Sequence, residues 1–194
     1  MKPRTKITPD NTIIFVALES ELPATHLPEW RIVYTGVGKV NAAIEGIKNY
    51  HIYQPFIAIN YGTAGTLNQA ISGLVEVGQC YERDMDVRPL GFAIGQTPFE
   101  DAIGLSFGYE GVTCSSGDNF VTDTPELNSD IVDMEAYALA KVAKKVGCDF
   151  RCFKYISDSA DGEAAADWQE NQRRGAKHFV DHFLRVVVGG DTRT

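Results

Sequence analysis

Several things are scarce in this chain, and each absence excludes a class of function. The four cysteines, Cys80, Cys114, Cys148 and Cys152, contain no CxxC pair, so neither a zinc ribbon nor a dithiol redox motif can be built from them. Cys148 and Cys152 flank the start of a predicted strand and read as packing residues. No apolar run has the length of a membrane span or an N-terminal secretion signal. Repeats, linkers and low-complexity tracts are missing. Basic residues are few: 18 Lys and Arg face 26 Asp and Glu, for a net charge of -8. Such a surface repels polyphosphate backbones and anionic lipid. These absences predict a reduced, cytoplasmic protein with no nucleic-acid or membrane partner, and leave a small, roughly neutral ligand. No metal is expected either. "HFVDH" sets His178 and His182 one helical turn apart, but the Glu of HExxH is missing and no third ligand is evident nearby.

What is present is apolar mass in a regular order. With 44% hydrophobic residues in 194, the chain is long enough to bury most of its apolar surface as one domain, residues 1–194. Runs rich in β-branched residues recur at Thr12–Leu18, Arg31–Thr35, Pro55–Asn60, Leu74–Glu82, Gly111–Cys114 and Phe150–Ser157. Helical periodicity covers Lys39–Tyr53, with Val40, Ala43, Ile44 and Ile47 on one face, then Met134–Val146 and about Ala165–Val187. The alternation predicts an α/β fold: a central, mixed, largely parallel twisted sheet flanked by helices. "NYGTAGTL", Asn60–Leu67, reads as a glycine-rich turn leaving a strand.

Open α/β sheets bind ligands beyond the carboxyl ends of their strands, and acids stand at three such places. Glu19 and Glu21 follow the first strand, Glu135 opens the helix after "DIVDM", and Asp158 follows "FRCFKYIS". Glu135 poses a question, because Ala138, Leu139, Val142 and Val146 continue from it as an apolar stripe, and an anion heading a buried face is costly. Each acid has an ordinary alternative: Glu135 facing the helix dipole, Asp158 in an Asx-turn, Glu21 solvated in a loop. Their joint placement is what points to acid and base chemistry. "TGVGKVN", Thr35–Asn41, imitates a phosphate loop, but Val40 stands where Ser or Thr is needed, and the remaining glycines of either nucleotide fingerprint are missing. A tight strand-to-helix turn is the expected structure there.

A set of motifs in one order then matches a known family. "VALESE", "GVGKVNAA", "INYGTAGTL", "RDMDV…GQTP", "SSGDNFV", "VDMEAYALA" and "ISDSAD" together resemble the purine nucleoside phosphorylase and nucleosidase superfamily, with the nearest likeness to bacterial 5'-methylthioadenosine/S-adenosylhomocysteine nucleosidases. The similarity runs from about Ile13 to Phe183. It implies a nucleoside phosphorylase-like fold and cleavage of an N-glycosidic bond without a cofactor. By this resemblance Glu135 receives the ribose hydroxyls beside Met134, while Phe120 stacks on the base and Val121 offers its backbone to the base edge. Asp158 meets purine N7 with help from Ser157, Glu21 orients the attacking water, and Thr63 lines the sugar pocket. Leu18, Val37 and Trp168 would line the 5' end, an apolar set that favours a 5'-alkylthio or 5'-deoxy group. In the family a partner chain completes that end, which here assigns Val87, Leu90, Phe92 and Pro98 to the neighbouring site of a homodimer.

The chemistry requires these residue types. Glycosidic cleavage passes through an oxocarbenium-like sugar, so a site must neutralise the departing base and activate water on the opposite face. The sequence also departs from the family. The connection from Glu21 to Arg31 is short, the segment from Phe99 to Thr113 is trimmed, and Lys154 replaces an Arg, which removes a bidentate fork. Phosphorolysis is the alternative in the same fold, although Glu21 would repel phosphate and no Arg precedes Arg31 after the first strand. Futalosine-type or other adenosyl substrates, and a member that binds nucleosides without cleaving them, also stay open.

Overall fold

A computed structural model describes residues 6–100, 102–158 and 164–189, apart from the side chains of 158 and 164–170. Eight strands make one mixed sheet. They are β1 (Thr12–Val16), β2 (Arg31–Tyr34), β3 (Ile57–Thr66), β4 (Leu74–Glu82), β5 (Leu105–Ser106), β6 (Val112–Ser116), β7 (Ile131–Asp133) and β8 (Asp149–Asp158). The helices are α1 (Lys39–Tyr53), α2 (Ala136–Val146) and α3 (Ala164–His182), the last running on into a π-helical turn at Phe183–Val188. Parallel pairs join β1 to β2 and β3, β3 to β8, β4 to β6 and β6 to β7. Antiparallel pairs join β3 to β7, β4 to β5 and β4 to β8. The α/β sheet is therefore mixed and largely parallel, as the sequence pattern predicts.

Burial explains the layers. β1 is Thr-Ile-Ile-Phe-Val, buried at every position, as befits a central strand covered on both faces. On one face α3 and its continuation set Ala176, Phe179, Phe183 and Val187 at helical spacing against β3 and β8, with Phe179 stacked on Tyr61 at 4.2 Å between ring centroids. The two phenylalanines and the valine each contribute about 1.5–3 kcal/mol of transfer free energy. His178 lies over the ring of Tyr155 and His182 over that of Phe153, so both histidines pack onto the sheet. On the other face α2 buries Ala136, Tyr137, Leu139, Ala140 and Ala143, and ends at Gly147 in the left-handed conformation. No helix among the described residues is long and apolar enough to cross a membrane.

One local expectation is corrected. Asn60–Thr66 is strand rather than turn, since β3 runs straight through Gly62 and Gly65. Gly62 serves close approach: a Cβ there would stand 3.3 Å from Lys154 Nζ and 3.5 Å from Glu21 Oε1. The orientation of α1 is the second local finding. The helix buries Ala42, Gly46, Asn49 and Tyr50, while Val40, Ile44 and Ile47 are 67%, 56% and 48% exposed. The inward face packs on α2, where a Cβ on Gly46 would stand 3.4 Å from Leu139 and 3.7 Å from Val142. The aliphatic stripe is left facing outward.

Candidate active site

The ends of β1, β3, β4, β6, β7 and β8 surround a cavity of about 320 Å³. Topology brings them together: β3 carries β1 and β8 on its two sides, then at Gly65–Thr66 meets β7, which leads across β6 to β4. The turn between β2 and α1 closes one rim. Gly36 and Gly38 adopt φ of 78° and 94°, values open to glycine, and Val37 between them faces the cavity. The phosphate-loop lookalike is thus a tight turn whose Gly38 N–H is given to a protein carboxylate.

That carboxylate is Glu135, and its surroundings answer why it heads an apolar helix. The first N–H groups of α2 are served by other side chains. Asp133 Oδ2 accepts from the N–H of Glu135 (3.2 Å) and Ala136 (2.9 Å), and Ser116 Oγ accepts from that of Tyr137 (2.9 Å). Glu135 is released from capping and turns into the cavity, where Oε1 accepts from Gly38 N–H at 2.8 Å. It is 7% exposed. Burial, followed by the nearby Asp133 carboxylate, pushes its carboxyl up to about 7, with Lys154 and the Gly38 N–H pulling the other way.

Glu21 faces the same space from the segment after β1. Its Oε1 accepts from both the N–H and the hydroxyl of Thr63, each at 2.8 Å, and Oε2 from Leu18 N–H at 3.3 Å. Glu19 points to solvent. Beneath the two glutamates lies an ion pair sealed from water: Lys154 Nζ stands 2.7 Å from Asp133 Oδ2, and both side chains are 1% exposed. Burial would depress the Lys154 ammonium and raise the Asp133 carboxyl, but each charge holds the other, so Lys154 titrates well above and Asp133 below its ordinary range.

Of the residues singled out in the sequence, Leu18, Glu21, Val37, Thr63, Phe120, Val121, Met134, Glu135 and Ser157 all line this cavity. Phe120 is 60% exposed at the mouth, whereas Val121 is buried. Ser157 falls at an irregularity in the β3–β8 ladder, where pairing steps from Ala64–Ile156 to Gly65–Asp158, and its hydroxyl donates to the Ala64 carbonyl at 3.4 Å. Asp158 is the last residue of β8, next to Ser157, and its side chain lies outside the described residues, as does that of Trp168 in α3. Val87, Leu90, Phe92 and Pro98 do not line the cavity of their own chain. They follow β4 on a segment where Leu90 and Phe99 are 71% and 95% exposed.

Sequence reasoning missed Arg83 and Asp133. Arg83 follows β4 immediately and lines the cavity while only 7% exposed. A basic residue directly after a strand end was the available signal. Asp133 was hidden by its neighbour, because in "VDMEA" the acid that caps the helix and the acid that enters the site lie two residues apart.

A strand-end cavity with two buried carboxylates above a lysine–aspartate pair is arranged for acid and base chemistry on a small ligand, and comparison with known proteins narrows the class. Residues 103–188 match the family model of the phosphorylase superfamily. A 5'-methylthioadenosine/S-adenosylhomocysteine nucleosidase from Actinobacillus succinogenes is 30% identical over 186 residues, covering 81% of this chain and 80% of that one. Among solved structures, the futalosine hydrolase of Helicobacter pylori superposes with a TM-score of 0.83 at 20% identity, over 92% of this chain and 97% of that one. The 5'-methylthioadenosine/S-adenosylhomocysteine nucleosidase of the same organism, solved with butyl-thio-DADMe-Immucillin-A, gives 0.81 at 19%, over 92% and 97%. At such identities the two structures speak to fold alone. The chain belongs to the 5'-methylthioadenosine/S-adenosylhomocysteine nucleosidase family of the phosphorylase superfamily, a family of N-glycosyl hydrolases.

Proposed function

We propose that the protein is a cytoplasmic salvage enzyme that hydrolyses an adenine nucleoside with an apolar 5' substituent, of the 5'-methylthioadenosine/S-adenosylhomocysteine type, and releases adenine. The observation that carries this reading is the convergence of Glu21 and Glu135, both buried, on one cavity whose remaining wall is largely apolar. Water held by Glu21 attacks C1' as the bond to N9 breaks. The bonding pair leaves with the base, Asp158 delivers a proton to N7, and Glu21 takes the proton from water. Ser157 aids Asp158. Glu135 accepts from the ribose hydroxyls beside Met134, and Thr63 lines the sugar. Phe120 stacks on adenine while the Val121 backbone meets its edge. Leu18, Val37 and Trp168 receive the 5' group. The decisive experiment incubates the protein with a panel of adenine nucleosides, with and without phosphate, and follows free adenine and the sugar product. Free sugar formed without phosphate is expected; a requirement for phosphate with sugar 1-phosphate as product would replace hydrolysis by phosphorolysis.

The working form is a homodimer in this reading. Val40, Ile44 and Ile47 on α1, with Leu90 and Phe99 on the segment after β4, are exposed apolar side chains that a dimer contact could cover. A two-fold contact would bring Val87, Leu90, Phe92 and Pro98 of one protomer to the 5' end of its partner's cavity. Phe92→Asp places a charge in that contact. Sedimentation is expected to show dissociation of this variant together with a raised KM for 5'-alkylthio substrates; a fully active monomer, or a dimer with unchanged 5' preference, would refute the shared pocket.

A further inference from the structure

Arg83 is a buried cation on the cavity wall whose donors are only partly used. Its Nη2 donates to the carbonyls of Gly117 (3.3 Å) and Asn119 (3.1 Å). Among the described residues the Asp84 and Asp133 carboxylates act on it only from a distance, Nη1 makes no hydrogen bond, and Nε is sealed from solvent with no partner. Unpaired buried donors of this kind are costly and call for an explanation. Burial depresses the guanidinium's affinity for its proton, with Asp84 and Asp133 opposing from a distance, as expected for a charge its neighbours compensate incompletely. The sequence at this corner is built around the guanidinium. A Cβ on Gly117 would stand 2.7 Å from Nη2 and 2.9 Å from Cζ, so a larger residue there would push the guanidinium off that backbone. Gly117 N–H in turn donates to the Asp133 carbonyl at 3.1 Å, which sets the corner beside the end of β7, just before Met134 and Glu135.

We propose that Arg83 is a specificity-determining residue that reads the sugar, donating to the oxygen of a ribose hydroxyl whose proton is accepted by Glu135. This rests on the reading of the cavity as a nucleoside site. A hydroxyl is both donor and acceptor, and a carboxylate alone satisfies only one of those capacities. Carboxylate and guanidinium on one cavity supply the complementary pair, so a 2'- or 3'-deoxy sugar leaves Arg83 buried without its acceptor. Nη1 is the donor left for the ligand, since Gly117 and Asn119 engage Nη2 and Nε is sealed from the cavity.

The test is a cycle between protein and ligand. Arg83→Met keeps the apolar stem and removes the donors, and Arg83→Lys keeps the charge with a single ammonium. Each is compared with wild type on 5'-methylthioadenosine and its 2'-deoxy and 3'-deoxy analogues. The expected result is a loss of about tenfold or more in kcat/KM for Arg83→Met on the ribose substrate, the size of one charge-assisted hydrogen bond. On one of the two deoxy analogues the loss should shrink to about twofold, with Arg83→Lys intermediate. Equal losses on all three compounds would overturn the proposal and reduce Arg83 to a clamp on the segment carrying Phe120. If the wild type binds these nucleosides without cleaving them, the hydrolase reading fails separately, and the same cycle run on calorimetric Kd values still decides the role of Arg83. If Arg83→Met does not fold, Arg83→Lys and the wild-type preference between ribose and deoxy ligands decide it: indifference to both hydroxyls would overturn it.

Discussion

Glu21→Gln should lose roughly a hundredfold or more in turnover on a cleavable adenine nucleoside while substrate binding changes little. The size follows from removing a general base that acts as water attacks, a contribution of about 10² to 10⁴ in rate. The structure makes this a clean substitution. Oε1 carries the bonds from Thr63 N–H and hydroxyl, and a glutamine carbonyl oxygen can accept both. What changes is the other oxygen: an amide NH2 in its place cannot take a proton and meets the Leu18 N–H donor to donor, a contact 3.3 Å long in the native chain. That mismatch costs stability modestly, so unfolding measurements should show a drop of about 1–3 kcal/mol at most. A kcat loss with KM nearly intact assigns Glu21 to the transition state. Near-native turnover would make Glu21 a brace for Thr63 and β3, and the water would have to be oriented by something else.

How much of this could be read from the sequence differs by residue. The α/β order was legible because strands such as "TIIFV" are β-branched throughout and because Lys39–Tyr53 has a clean start and stop. Glu135 was legible as an anomaly, an acid opening an apolar stripe. Its explanation was not, because it depends on Asp133 and Ser116 taking over the helix N–H groups, and the partnership of Ser116 spans about twenty residues of chain. Periodicity placed α1 correctly but did not say which way its apolar face points. The hydrophobic stripe Val40, Ile44, Ile47 faces outward, since what α1 presents to α2 is the small residue Gly46. Gly62 and Gly65 looked like a turn for a related reason: glycine signals that something comes close, and the sequence does not say whether that is a bend or, as here, Lys154 and Glu21 crowding a straight strand. Arg83 went unnoticed because a basic residue after a strand end is a weak signal by itself, and its meaning lies in which donors remain unused once the chain is folded.

Lys154→Met is expected to cost about 3–5 kcal/mol of stability, the usual consequence of leaving one partner of a buried ion pair alone. Met fits the space of the lysine stem, so the loss reports charge rather than a cavity. Asp133 would be left 1% exposed with its Oδ2 still bonded to Ala136 N–H and Oδ1 to Ser116, but with no cation to balance it, in a region that also holds Glu135 and Glu21. The pH dependence separates this account from simple loss of packing. In the native chain Asp133 titrates below its ordinary value of 3.8, so its contribution is present above that value and is lost as pH falls through the depressed one. Without Lys154, burial dominates and the Asp133 carboxyl rises, and Glu135, already held at about 7, is pushed further up. A group raised in this way holds its proton in the folded state after the unfolded chain has lost it, so its stabilising effect disappears as pH increases through that window. The gap between native and variant should therefore be small near pH 4 and widen toward pH 7. Urea unfolding across that range measures it, and Lys154→Met combined with Asp133→Asn should recover a large part of the loss by removing both charges together. A gap that is constant with pH, or a double variant no more stable than the single one, would show that Lys154 acts here by filling space.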